Sequence, residues 1–258
     1  LFPYTTLFRS ELLAIAGELK DPKTNEYGRA DKAAVWSLLA KLYLNAEVYT
    51  GTQRNTDCIT YCNKVIAAGY SLKPKYDDLF LADNNINNPE QILSVNFDGI
   101  NTQTNGGTTY LVHAAIGGDM KAADFGVNGG WSGLRTTKAF VSLFPTNGSD
   151  KRGRFFTSGQ NLEINDLGSF TDGYAFIKFK NVKSNGSVGA HTNWVEADIP
   201  LYRLADIYLM YAEAVLRGGT GGNQATAIGY INQLRQRAYG DTSGNISSIN
   251  LNFILDER

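Results

Sequence analysis

PLYRLADIYLMYAEAVLR, residues 200–217, decides the fold. Leu204, Ile207, Tyr208, Tyr211, Ala214 and Val215 recur at helical spacing and make one broad apolar face over 201–217. Pro200 is read as the residue that opens the helix, and Gly218 and Gly219 end it. After the turn Thr220-Gly221-Gly222-Asn223 a second helix is predicted over 224–239, with Ala227, Ile228, Ile231, Leu234 and Ala238 inward and Gly240 as its stop. A further helix begins near Asn250.

The same signature occurs earlier. Residues 30–50 carry Val35, Leu38, Leu39, Leu42, Ala46 and Tyr49 at helical spacing, with Asp31 as a cap and Gly51 as a stop. A partner helix over about 56–68 turns Cys58, Tyr61, Cys62, Val65 and Ile66 inward and ends at Gly69. Two helices joined by a short link are the unit of a tetratricopeptide-like repeat. One pair cannot bury its own apolar face, so partner helices must come from the C-terminal pair or from upstream. Between the pairs, over 70–200, Gly, Asn, Thr and Asp rise and the helical period fades. Short strands are expected at 91–97 and 174–180, and short helices at 75–81 and 137–144. Loops of that length in a compact protein are usually functional. The fold class is therefore mainly α: helix pairs at 30–69 and 201–258 framing a long irregular insert, within one domain over 11–258.

Residues 1–10, LFPYTTLFRS, read as a sequencing adapter translated in frame and are set aside. On that reading the natural N-terminus lies upstream, and the chain stops inside its last helix, so both ends are taken as truncated.

Composition narrows the function. The 258 residues carry a net charge of −1, which gives no general attraction for nucleic acid. Two histidines leave no Cys/His cluster for zinc, and no metal site or cofactor is assigned. Cys58 and Cys62, four apart on a helix, seldom reach disulfide geometry and are read as small buried groups. No apolar run is long enough to span a membrane. His113 and His191 lie in no nucleophile-bearing motif, and the Gly pairs lack phosphate-loop spacing. A glycosidase needs only two facing carboxylates. The acids of the ordered strings instead have structural explanations: Asp206 and Glu213 lie on a helix with Arg203 and Arg217, Glu213 and Arg217 being an i, i+4 pair, and Asp256 and Glu257 precede Arg258 in the same way. Arg203 and Arg235 are likewise read as structural.

The aromatic content, 12%, with abundant Tyr, Asn, Gly and Thr, suits both sugar-contacting and loop-rich proteins. Aromatic faces stack on the C–H faces of sugar rings, and the hydroxyls at the sugar's edge then need polar partners. Trp131, in NGGWSG, sits among small flexible residues where a ring can stand clear of a core. Tyr110, after Gly106-Gly107-Thr108-Thr109, is the second candidate and Trp194 the third, while Trp36 is read as packing. Asn101, Asn105, Asn128 and Arg135 are candidate hydrogen-bonding partners, each with an alternative role in holding its own loop.

Eight strings occur together in one order: 33–51 (AAVWSLLAKLYLNAEVYTG), 57–72 (DCITYCNKVIAAGYSL), 90–95 (EQILSV), 150–152 (DKR), 177–181 (IKFKN), 200–217, 231–238 (INQLRQRA) and 254–258 (ILDER). In this they resemble the SusD/RagB family, and most nearly its starch-type members. The resemblance implies a scaffold of tetratricopeptide-like helix pairs. It also implies a lipid-anchored, surface-exposed outer-membrane protein of Bacteroidetes-type bacteria. Such a protein captures oligosaccharides without catalysis and passes them to a TonB-dependent, SusC-like transporter. The anchoring Cys would lie upstream of this chain. Starch-binding members carry an arc of aromatic residues, with which Tyr110 and Trp131 are compatible. Some members bind calcium; Asp83, Asn84 and Asp98 would be the acids and amide to consider, without ordered ligand spacing. The alternatives are a relative that binds another glycan or peptides, a glycoside hydrolase, and a helical scaffold for a protein partner.

Overall fold

The computed structural model describes residues 3–258. In chain order its helices are α1 (Pro3–Ile15), α2 (Lys32–Leu44), α3 (Ala46–Thr50), α4 (Asn55–Ile66), α5 (Gly107–His113), α6 (Lys138–Val141), α7 (Leu204–Leu216), α8 (Gln224–Tyr239) and α9 (Leu251–Glu257). Its strands are β1 (Gln91–Val95), β2 (Phe155–Phe156), β3 (Ala175–Phe176) and β4 (Ile199–Arg203). The chain is mainly α, and it divides into two compact units. Of the described residues, the first comprises 3–72, 89–94 and 200–258, and the second comprises 73–88 and 95–199.

The first unit is the helical scaffold. Asp31 caps α2 by accepting from the Ala34 amide at 3.1 Å, and its other oxygen takes the Lys23 amide at 2.8 Å. Gly51 and Gly240 end α3 and α8 in the left-handed conformation, which a glycine adopts without Cβ strain. Asn223 and Asn250 cap α8 and α9 through their side chains. α7 is the hub: it packs on α2, α4, α8 and α9. It is buried nearly all round, from Leu204 through Ile207, Met210 and Tyr211 to Ala214. Each fully buried aliphatic side chain such as Ile207 contributes about 1.5–3 kcal/mol. The apolar faces of α2 and α4 are thus covered by the C-terminal helices, as tetratricopeptide-like pairs require. Cys58 and Cys62 are buried, unpaired thiols with their sulfurs 4.0 Å apart.

Several sequence expectations need correction. The 30–50 helix breaks at Asn45, which leaves Tyr49 exposed on α3 instead of inward. Pro200 lies within β4, so α7 is entered from a strand, and its N-cap is Arg203. The 174–180 run keeps only Ala175 and Phe176 as strand, paired antiparallel with β2. The 75–81 segment is a 3-10 turn, Asp77–Phe80. Arg258 pairs with Asp206 at 3.1 Å and with Glu213 at 3.3 Å, while Glu257 pairs with Arg235 at 2.7 Å. The Glu213–Arg217 pair forms as read, at 2.8 Å. Of the adapter-like segment, Leu1 and Phe2 lie outside the described residues. From Pro3 onward it runs into α1, whose Leu12 is buried.

The second unit has its own small core of Val112, Ile116, Met120, Phe125, Val127, Ala175, Val195 and Ala197. Little of it is regular, so buried polar side chains take over the work of secondary structure. Asn84, 2% exposed, donates to the Leu79 and Asp198 carbonyls and accepts from the Asp198 amide, each at 2.9–3.0 Å. Asp198 in turn accepts from the Phe97 amide at 2.8 Å. Such bonds satisfy main-chain groups that a helix or sheet would otherwise pair.

Candidate glycan-binding site

The site is built on α5. A helix ends with carbonyls that have no partner inside it. Here the segment 131–134 supplies the donors. Trp131 N–H reaches the His113 carbonyl at 2.8 Å, Ser132 N–H the Ile116 carbonyl at 2.9 Å, and Gly133 and Leu134 N–H the Ala114 carbonyl at 2.8 and 2.6 Å. That close approach depends on glycine: a Cβ on Gly130 would lie 2.3 Å from the Ile116 carbonyl oxygen. Ser132 itself sits at φ +56°, a left-handed conformation uncommon outside glycine. The Gly-rich string around Trp131 is therefore a clamp onto the end of α5, not a free loop.

The clamp leaves two rings facing solvent. Tyr110, on α5, is 45% exposed and Trp131 is 44% exposed. Their centroids lie 6.3 Å apart with 50° between the planes. Behind them His113, one turn along α5 from Tyr110 and 2% exposed, stacks on Trp131 at 4.8 Å and 18°. Its Nδ1 donates to the Gly129 carbonyl at 2.8 Å, since a carbonyl can only accept.

α5 also holds a second aromatic loop. Thr109 Oγ1 accepts from the Val195 amide at 3.0 Å, and Val195 follows Trp194. Trp194 is half-buried and faces His191 at 6.4 Å and 30°. Asn128 binds this loop twice: its N–H donates to the Thr192 carbonyl at 3.2 Å, and its Nδ2 donates to Asn193 Oδ1. Asn181, wholly buried, ties the two loops from beneath. It donates to the Gly126 and His191 carbonyls at 2.9 and 2.8 Å and accepts from the Glu196 amide at 3.2 Å.

The remaining candidates divide. Asn105 is exposed just before α5. Asn101 donates to Asp98 within its own turn, through its main-chain and side-chain N–H at 2.7 Å each. Arg135 donates to the Ser169 and Leu167 carbonyls at 2.6 and 2.9 Å. Asn101 and Arg135 thus each brace a loop, as Asn128 does through Thr192 and Asn193.

Asp98 also takes the Ile100 and Thr102 amides, and these hydrogen bonds hold its carboxyl well below the usual carboxylate range. Asp83 accepts from both the amide and the hydroxyl of Ser184. Asp83, Asn84 and Asp98 are each committed to such bonds, and among the described residues no cluster of three metal-ligating side chains forms.

A concave pocket of about 220 Å³ lies elsewhere, on α1, α2, α3 and the link that follows α3. Its Arg54 is spent on Asp57 at 2.6 Å and on the face of Tyr43 at 5.1 Å, and its Arg9 belongs to the adapter-like segment. Sequence reading missed His113 and Asn181 as parts of the site. Nothing in a local string shows that a carbonyl far along the chain will need their N–H groups.

Comparison with known proteins agrees with this architecture. The SusD family model matches residues 153–258. The starch-binding protein SusD of Bacteroides thetaiotaomicron is 32% identical over an alignment that covers 98% of this chain and 53% of that protein. A SusD superfamily protein of Parabacteroides distasonis is 26% identical, with a TM-score of 0.71, covering 98% of this chain and 53% of that one. The surface glycan-binding protein A of Bacteroides thetaiotaomicron, solved in complex with laminarihexaose, shares the fold at a TM-score of 0.72 and 22% identity, over 98% of this chain and 57% of that one. The chain spans about half the length of the curated relatives it matches. By its family match, its relatives and its helix pairs, this chain belongs to the SusD/RagB family.

Proposed function

We propose that this chain captures an oligosaccharide, an α-glucan of the starch type, for import through a SusC-like, TonB-dependent transporter. The observation that carries the reading is the Tyr110–Trp131 pair. It is two exposed rings held at a fixed mutual tilt by backbone bonds to α5, with polar side chains at Asn128 and Asn193 on the adjoining loops. Each ring can desolvate the C–H face of a sugar, and amides can meet its hydroxyls. Rings inclined at 50° suit a glycan that turns as it runs, as an α-glucan does, better than a flat one. The starch-binding name of the relative at 32% identity supports the same ligand class.

The setting is the bacterial surface: an outer-membrane protein held by a lipid anchor, on the strength of the family. No described helix is long and apolar enough to cross a membrane. The protein acts by binding and release, without bond cleavage. Asp98 and Asp172 are held ionised by several N–H donors, which suits neither to giving up a proton as a general acid. Glu90, Glu213 and Glu257 are committed to arginines. A shallow platform gives weak affinity for one sugar segment, and a polymer engaging several copies gains by avidity.

The test is affinity electrophoresis of the chain in gels containing starch, beside Trp131→Ala. Retardation of the chain that the variant loses supports α-glucan capture. Retardation only by a β-1,3-glucan or a xyloglucan moves the assignment to another glycan. Steady release of reducing sugar would overturn the non-catalytic reading.

A further inference from the structure

We propose that His113 is a positioning residue of the platform, fixing the plane in which Trp131 meets a sugar; this rests on the glycan-binding reading above. His113 is 2% exposed and so lies beneath the binding surface, yet it holds the Trp131 segment at three points. Its carbonyl accepts the Trp131 amide at 2.8 Å, its Nδ1–H donates to the Gly129 carbonyl at 2.8 Å, and its ring lies 4.8 Å from the Trp131 ring with 18° between the planes.

Those contacts grip the tryptophan from both ends of its freedom. The two hydrogen bonds fix the backbone on either side of Gly130. The stack then fixes the side-chain rotation, because a flat ring packed on another cannot turn without losing contact. Nε2 of His113 makes no hydrogen bond among the described residues, so the polar side of the imidazole is spent wholly on Gly129. A phenylalanine could stack there, and an asparagine could donate to Gly129; the imidazole does both. Its place one turn from Tyr110 on α5 also ties the two platform rings to a single helix.

The experiment has two arms. In the first, Trp36→Phe and Trp194→Phe leave Trp131 as the sole tryptophan. Its fluorescence anisotropy and its quenching by acrylamide are then read without any glycan in His113→Ala, His113→Asn and His113→Phe. The expected result is lower anisotropy and stronger quenching in the alanine variant, with intermediate values in the other two. In the second arm, with all tryptophans restored, starch-gel affinity falls about tenfold for His113→Ala, equivalent to ~1.4 kcal/mol, and is partly rescued by asparagine and by phenylalanine.

Unchanged anisotropy and quenching in a folded His113→Ala overturn the proposal. If the unaltered chain binds no glycan, the functional reading fails on its own, and the fluorescence arm still decides whether His113 positions Trp131. If the alanine variant loses its far-UV circular dichroism, the asparagine and phenylalanine variants, nearer in size, carry the same comparison.

Discussion

Tyr110 and Trp131 present their exposed rings 6.3 Å apart at 50°, one from a helix and the other from the segment clamped to that helix's end. If both rings act by stacking, the hydroxyl of Tyr110 is secondary. Tyr110→Phe should then keep starch retardation within about twofold, and Tyr110→Ala should weaken it roughly tenfold, the factor that ~1.4 kcal/mol represents. Equal losses in both variants would move the role from the ring to the hydroxyl.

Gly130 and Gly129 give a paired test of the clamp. A Cβ on Gly130 meets the Ile116 backbone oxygen at 2.3 Å, whereas one on Gly129 meets nothing within 4 Å. Gly130→Ala must push Trp131 away from α5, so it should cost ~1–3 kcal/mol of stability and also lower glycan affinity, although residue 130 has no ring to offer. Gly129→Ala should do neither. Thermal melts and affinity gels on the two variants decide the matter. A Gly130→Ala variant that melts and binds like the parent would show that the close approach is unimportant.

The range over which each signal acts decides how much of the fold and the site was legible in the sequence. The helix pairs announce themselves locally, because a cap such as Asp31 or Asn223 and a stop such as Gly51 or Gly240 act within a few residues of where they stand. Tyr49 escaped that logic because Asn45 interrupts the helix, so the spacing counted from α2 no longer holds along α3. Trp131 was picked out because small, flexible neighbours let a ring stand clear of a core; the ring is exposed, but the glycine before it serves a backbone under close constraint and not a free loop. The constraint's partner, the end of α5, was not legible, since it lies outside the NGGWSG string. Asn181 and His113 are the extreme cases: each serves carbonyls of other loops, and only the folded chain shows which.

Asp98 offers a pH prediction. Its carboxylate accepts the Ile100, Asn101 and Thr102 amides and the Asn101 side chain, which lowers its folded-state pKa. The unfolded chain therefore binds the proton more readily. The stability that Asp98 contributes is fully present above the ordinary aspartate pKa of about 3.9 and is lost as the pH falls below it, toward the lowered folded value. Asp98→Asn removes that titration. Between about pH 5 and pH 2 the parent's melting temperature should fall more steeply than the variant's, and parallel slopes would show that the turn around Asp98 does not couple to folding.

In the helical unit, Glu90 has no exposed surface, and its carboxylate lies between Arg203, at 2.6 Å, and Arg237. Its own carbonyl accepts the first amide of α7, from Leu204, at 3.1 Å. One residue thus joins the start of β1, the end of β4 and α8, three segments far apart in sequence. Desolvating a carboxylate is costly, and here each oxygen meets a guanidinium that offsets the cost. Glu90→Ala takes the shared carboxylate from between two largely buried guanidinium groups, so it should cost ~3–5 kcal/mol, seen as a lower midpoint in urea at an unchanged slope. Glu90→Leu combined with Arg203→Met and Arg237→Met removes the charges together and should recover much of that loss. If Glu90→Ala costs less than about 1 kcal/mol, the junction is held by the surrounding apolar packing and not by this ion group.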